Sequence, residues 1–90
     1  MKIILTPPYI FTIQPYKNRL KLIVLKKAEE FVCRKETKKK IIEFLDANDC
    51  TLFKGRLQLI KKNSEVLIQV KSEILGSIPV SNFYQILETI

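Results

Sequence analysis

Residues 56–71 read RLQLIKKNSEVLIQVK and predict a β-hairpin that turns at Asn63 and Ser64. This turn sets the cross-strand pairs as Lys62 with Glu65, Leu59 with Ile68 and Leu57 with Val70. The apolar side chains then share one face, and a shift of the register by one residue would break that agreement. The opposite face is polar and mostly cationic, with Arg56, Gln58, Lys62, Gln69 and Lys71. Such a face is suited to binding, and it contains no catalytic constellation.

A second hairpin is predicted nearer the amino terminus. Side chains alternate between Tyr9 and Gln14, and residues 15–18 are typical of a turn before an apolar strand at 19–25. A four-residue loop would pair Ile13 with Leu20, Phe11 with Leu22 and Tyr9 with Val24. Because prolines cannot donate to a ladder, the residues before Pro7 and Pro8 form at most a short edge strand.

Two helices are expected. Thr37 can cap a helix that extends through Asn48, and Ser81 can cap a last helix. The first has Ile41, Ile42 and Leu45 on one face with Phe44 beside them, and the second has a stripe of Phe83, Ile86, Leu87 and Ile90.

The remaining segments are predicted as strands. Residues 51–53 are expected to continue into the hairpin through a bend at Gly55, and residues 74–78 form a strand that Pro79 ends. Residues 26–36 fit a helical face or a brief strand at 31–33, and the strand is favoured because no apolar residue lies between Val32 and Ile41.

The order ββ(β)αβββα predicts one α+β domain over residues 1–90. We expect an antiparallel sheet of two hairpins plus a further strand, with two helices packed on it. The sequence indicates no internal repeat, linker or low-complexity segment.

Charge favours polyanionic partners. The chain has 16 Lys plus Arg against 9 Asp plus Glu, a net charge of +7 and a pI of about 9.6. Thirteen of the 16 cations are lysines, whereas base readout favours arginine, and a lysine-rich composition also arises from AT-rich coding DNA.

The leading functional hypothesis is a small, non-enzymatic binding protein. Its basic sheet face and basic helix start would contact RNA or DNA phosphates with little sequence preference. The candidate contacts are Lys38, Lys39, Lys40, Lys54, Arg56, Lys61 and Lys62, with a further basic pair at 26–27. Possible stacking rings are Tyr16, Phe53 and Tyr84.

Two other functions are considered. A protein-interaction or assembly module, including a homodimer, would use the half-apolar outer faces formed by Ile60 with Leu67 and Ile23 with Leu25. A small ribonuclease toxin is a remote alternative, since length and charge are similar to those of the ribosome-dependent toxins. Those proteins draw phosphate contacts from several strand arginines, and this chain offers only Arg56.

From Thr37 onward, the αβββα order is similar to that of double-stranded-RNA-binding domains. The basic helix start of that family would fall at residues 81–85, which contain no Lys or Arg. No family is therefore assigned.

Catalytic, metal and cofactor chemistry is not expected. The chain has no His, and Cys33 and Cys50 cannot by themselves form a zinc site, so both are interpreted as reduced thiols. The amino-terminal apolar run is too short for a signal peptide, and no stretch has the length of a membrane span, so a cytoplasmic protein with no membrane partner is expected.

Overall fold

The structure is a computed structural model that describes residues 2–90. It contains two four-stranded antiparallel sheets, each followed by a helix. The first sheet is formed by β1 (Lys2–Ile4), β2 (Tyr9–Tyr16), β3 (Arg19–Lys26) and β4 (Glu29–Glu36), and α1 (Lys38–Asp46) follows it. The second is formed by β5 (Cys50–Leu52), β6 (Leu57–Lys62), β7 (Glu65–Val70) and β8 (Glu73–Pro79), and α2 (Val80–Glu88) follows it.

The α+β class, the antiparallel pairing and the two helices are as predicted. The single sheet and the order ββ(β)αβββα are wrong, because the order is ββββαββββα in two sheets. Residues 51–53 do not continue into the hairpin, since Phe53 and Gly55 at φ 73° and 114° interrupt the extended backbone. The strand favoured within residues 26–36 is present but longer than the predicted 31–33, since β4 has eight residues, Glu29–Glu36.

The predicted register of the 56–71 hairpin is confirmed. Leu59 lies opposite Ile68, and Leu57 lies opposite Val70. The amino-terminal hairpin is shifted by two residues from its prediction, so that Ile13 pairs with Leu22. The loop is shorter than expected because Pro15 and Tyr16 remain in the strand. A shift of two leaves every side chain on its predicted face.

One hydrophobic core joins the inner faces of both sheets and both helices. The buried side chains of α1 are Ile41, Phe44 and Leu45, and those of α2 are Phe83, Ile86 and Leu87. The predicted stripe member Ile90 lies beyond α2 and is 36% exposed. The rings of Phe11 and Phe83, 6.2 Å apart, connect the first sheet to the helix that follows the second.

Only one of the two predicted helix caps forms. The Thr37 hydroxyl accepts a hydrogen bond from the Lys40 backbone N–H at 3.2 Å. Ser81 is not a cap, because α2 begins one residue earlier, at Val80, with Pro79 at its N-cap position. The first helix also ends sooner than predicted, at Asp46 rather than Asn48.

The two halves of the chain repeat the same order of strands and helix, so the expectation of no internal repeat is wrong at the level of structure. Each half has a short strand, three longer strands and a helix of nine residues. The turn at Lys27–Ala28 has φ 52° and 67°, and the turn at Lys71–Ser72 has φ 50° and 68°. The ladder beside each turn has a register shift, between Val24 and Leu25 in one sheet and between Ile68 and Gln69 in the other.

A backbone hydrogen bond is also repeated. The Lys27 N–H donates to the Pro8 carbonyl at 3.4 Å, and the Lys71 N–H donates to the Arg56 carbonyl at 2.9 Å. The cross-strand pairing then makes Tyr9 equivalent to Leu57 and Lys26 equivalent to Val70. Counted from the same turns, Phe31 is equivalent to Leu75 and Arg34 to Ile78.

The halves are held together by packing and by backbone contacts. The Thr6 N–H donates to the Leu75 carbonyl at 2.8 Å, so the β1–β2 loop lies against β8. Leu5 packs directly on Gly76, where a Cβ atom would be 2.9 Å from the end of the leucine side chain. Within residues 2–90, neither helix has the length and apolar character needed to cross a membrane.

Candidate functional site

Cations and aromatic rings converge at one end of the first sheet. Tyr9 and Lys26 are cross-strand partners on β2 and β3, and Phe31 is the unpaired residue of the bulge in β4. The rings of Tyr9 and Phe31 are 5.8 Å apart and tilted by 45°. The Lys26 ammonium lies 5.4 Å from the centre of the Phe31 ring, and that of Lys71 lies 4.9 Å from it. Lys71 belongs to the second sheet's β7–β8 turn, so both halves build this group.

A second group lies next to the first along β4. The Arg34 guanidinium donates to the Lys54 carbonyl at 2.8 Å and lies 4.9 Å from the centre of the Phe53 ring. Arg56 connects the two groups, since its carbonyl accepts from the Lys71 N–H and it follows Lys54 by two residues. We call the combined region the cation–aromatic surface, formed by Tyr9, Lys26, Phe31, Arg34, Phe53, Lys54, Arg56 and Lys71.

The cation–aromatic surface is accessible. All of its Lys and Arg residues are exposed, and its three rings are half-buried against the core. An exposed cation over a ring contributes only about 0.5–1 kcal/mol, so these ammonium groups can move to another partner at little cost. The rings are anchored, and the cations are free to rearrange.

The equivalent positions of the second half are apolar and buried. The first half has Tyr9, Lys26, Phe31 and Arg34 at these positions, and the second half has Leu57, Val70, Leu75 and Ile78 in the same order. Each of the four second-half residues is at most 3% exposed. This fold therefore accepts ordinary core residues at these positions. The cationic and aromatic residues of the first half are not required by the architecture, which is a reason to assign them a function.

In the described chain, the cations of this surface form no ion pair with a carboxylate. Within residues 2–90 the one ion pair joins Lys21 to Glu30 at 3.1 Å, on the outer face of the first sheet. The Lys21 ammonium lowers the pKa of the Glu30 carboxyl through its hydrogen bond, and the same contact raises the pKa of Lys21. This pair lies outside the cation–aromatic surface, and the nearest carboxylate along the ladder, that of Glu29 opposite Lys26, forms no ion pair in the described chain.

The predicted phosphate-contact residues do not form one group. Lys54 and Arg56 lie on the cation–aromatic surface. Lys38, Lys39 and Lys40 are exposed in the first turn of α1, and Lys61 and Lys62 lie near the other end of that helix. A helix of nine residues is about 13 Å long, so these two groups of lysines lie well apart.

Lys61 has a structural contact. Its ammonium donates to the Leu45 carbonyl at 2.6 Å and also to the Ala47 carbonyl. These carbonyls lie at the end of α1, where helical backbone acceptors lack intrahelical donors and a cation is favourable. Lys61 follows the inward-facing Leu57 and Leu59 in the strand alternation, and this spacing is the sequence signal that could have identified its role.

The predicted stacking rings also have different surroundings. Tyr16 is half-buried at the far end of the first sheet, with the Lys35 ammonium 4.2 Å from its ring centre. Phe53 belongs to the cation–aromatic surface. The Tyr84 hydroxyl donates to the Asp46 carboxylate and so joins α2 to α1.

The predicted apolar contact residues are partly covered. Ile23 is only 4% exposed, because the Lys21–Glu30 ion pair passes across its face of the sheet. Ile60 and Leu67 are cross-strand partners and half-buried. Leu25 is half-buried in a row with Ile10 and Ile4, and Ile4 is 80% exposed.

Both cysteines are half-buried free thiols, Cys50 against the core and Cys33 on the outer face of the first sheet. Cys50 lies 3.7 Å from the Phe44 carbonyl, and Cys33 lies under the Lys21–Glu30 pair. Burial and the hydrogen bond with Glu30 raise the pKa of the Cys33 thiol, which disfavours the nucleophilic thiolate. Within residues 2–90, no three Cys, Asp or Glu side chains are grouped closely enough to hold a metal ion.

No family model matches this chain, and no curated protein or solved structure shows a significant similarity to it.

Proposed function

We propose that this protein binds nucleic acid through the cation–aromatic surface, without catalysis and with little sequence preference. The observation that carries the proposal is the convergence of exposed cations, which form no ion pair in the described chain, on half-buried rings contributed by both halves of the chain. Phosphates attract the cations, and the rings offer apolar area to sugars and bases.

The composition of the surface argues for contact with the nucleic-acid backbone. Lys26, Lys54 and Lys71 are point charges that suit phosphates of any sequence. Arg34 already donates to a backbone carbonyl, which leaves Arg56 as the other arginine of this surface for bidentate contacts. Specific base readout relies on several bidentate arginine contacts, so discrimination between sequences should be weak.

The lysines at the start of α1 have a secondary place in this proposal. Lys38, Lys39 and Lys40 are exposed and add to the positive potential, but no aromatic ring accompanies them. They would attract a polyanion at low salt, and they would contribute less at physiological salt because the Debye length there is about 8 Å.

Fluorescence anisotropy with labelled DNA and RNA tests this function. Binding to generic sequences at low salt is expected, and the logarithm of affinity should fall with that of salt concentration with a slope of several units. Absence of binding at low salt would contradict the proposal.

Assembly through apolar contacts is a second candidate, favoured by the 80% exposure of Ile4 and its row with Ile10 and Leu25. A dimer using this row would dissociate in an Ile4→Lys variant. Light scattering of both proteins at several concentrations distinguishes a dimer from a monomer, and a monomeric parent would contradict this candidate.

A further inference from the structure

We propose that the cation–aromatic surface takes single-stranded nucleic acid and stacks an unpaired base on the ring of Phe31. This inference rests on the proposed function and specifies the ligand. Three observations support it: the position of Phe31 in the β4 bulge, the side chains that contact its ring, and the buried Leu75 at the equivalent position of the second half.

The β4 bulge makes Phe31 available. Val32 pairs with Val24 and Glu30 pairs with Leu25, so Phe31 is the extra residue and has no partner across the ladder. Bulges re-aim side chains in this way and are common beside binding sites. The same bulge in the second half holds Leu75, which is 2% exposed in the hydrophobic core. One bulge fills the core, and the other presents a half-buried ring.

The Phe31 ring is contacted by the Tyr9 ring and by two lysine ammonium groups. Tyr9 meets it at 45° rather than in a parallel stack. The ammonium groups of Lys26 and Lys71 lie over the ring on long, exposed side chains. Stacking of a base on an aromatic side chain is stronger than an exposed cation–π contact. A base can therefore take the ring while both ammonium groups move to the adjacent phosphates.

This exchange requires an unpaired base. In a duplex each base is already stacked and paired, so it cannot reach a ring at the protein surface without being extruded. A single strand presents its bases at no such cost. The surface should therefore prefer a single strand to a duplex, although both present phosphates.

Three labelled probes distinguish the contribution of bases to affinity from that of phosphates. They are an oligothymidylate, an abasic strand and a duplex, all of the same length of about twelve nucleotides. We expect the oligothymidylate to bind about tenfold more tightly than the abasic strand, and more tightly than the duplex. In a Phe31→Leu variant, oligothymidylate affinity should fall to the abasic level, while abasic affinity stays the same. Leucine is the residue at the equivalent position 75, so the variant should fold, which circular dichroism can verify.

A Tyr16→Leu variant is the matched control, because Tyr16 is also a half-buried ring beneath a lysine but lies outside the surface. It should keep the preference for bases. Three results would overturn the base-stacking inference while the proposed function stands. They are equal affinity for the oligothymidylate and the abasic strand, tighter binding of the duplex than of the oligothymidylate, and a full preference for the oligothymidylate in Phe31→Leu. Failure to bind any of the three probes would overturn both.

Discussion

Lys26 and Val70 occupy equivalent places in the two halves of the chain, yet Lys26 is exposed and Val70 is buried, with 3% of its surface exposed. Each precedes a two-residue turn with left-handed backbone and lies opposite the first residue of the neighbouring strand, Tyr9 or Leu57. The same local geometry therefore supports a cation in one sheet and a core residue in the other. At these equivalent positions, the repeated architecture has core side chains in one half and a charged surface in the other.

Replacing Lys26 by valine should separate stability from binding. Because valine stands at the equivalent position and has a higher β-propensity, the free energy of unfolding should stay the same or rise by up to about 1 kcal/mol. Affinity for the oligonucleotide should fall several-fold. Thermal melts and anisotropy titrations measure the two effects, with Lys62→Val as a control that lies outside the surface. A Lys26→Val protein that melts earlier and binds normally would show that Lys26 is structural.

Ala28 is expected to limit stability at the β3–β4 turn. It has φ 67°, a left-handed conformation that costs a residue with a Cβ atom about 1–2 kcal/mol. An Ala28→Gly variant should therefore gain about 1 kcal/mol in the free energy of unfolding. Ala47 has φ −75°, so Ala47→Gly should give no gain. Chemical denaturation of both variants tests this, and equal effects would refute the explanation.

The parts of the fold that the sequence predicts are those fixed by alternation. The 56–71 hairpin has apolar residues in phase on both strands, so one register alone buries them. The predicted register of the amino-terminal hairpin differs from the observed one by two residues, because a shift of two keeps Phe11 and Ile13 inside. Alternation cannot distinguish a loop of two residues from one of four.

Most of the cation–aromatic surface could not be predicted, for a physical reason. Phe31 reads as an ordinary strand residue, and its exposure depends on a bulge that residue types do not specify. Lys71 reaches Phe31 only because the second sheet packs against the first, which is a tertiary relationship. The repeat escapes detection because equivalent positions need only fill space, so Tyr9 and Leu57, or Phe31 and Leu75, satisfy the same backbone.

Lys61 should contribute to stability and not to nucleic-acid binding. A Lys61→Met variant keeps the apolar stem but removes the donor to the Leu45 and Ala47 carbonyls, so it should lose about 1–2 kcal/mol. Lys62→Met removes the same charge from an exposed neighbour and should have little effect on stability. Denaturant titrations compare the two variants. A specific loss of affinity in Lys61→Met, with unchanged stability, would return Lys61 to the binding site.

The Lys21–Glu30 ion pair should make the free energy of unfolding depend slightly on pH in the acidic range. The pKa of Glu30 is lowered in the folded protein, so its contribution is present above the ordinary glutamate pKa of about 4.3 and is lost as the pH falls through the lower folded value. A Glu30→Gln variant should therefore be less stable than the parent near neutral pH, and this difference should vanish in acid. Melting curves between neutral and acidic pH measure the effect. Glu29→Gln, which removes an exposed carboxylate with no ion pair in the described chain, should not reproduce it.

The most direct test of the account compares two variants of identical charge, K26Q/R56Q/K71Q and K38Q/K39Q/K40Q. Each removes three positive charges, the first from the cation–aromatic surface and the second from the start of α1. If the surface is the binding site, the first variant should bind a labelled oligonucleotide at least about tenfold more weakly, and its salt slope should be smaller by about two to three units. The second should lose much less affinity. Equal losses would show that binding follows net charge alone, and a greater loss in the α1 variant would place the site there instead.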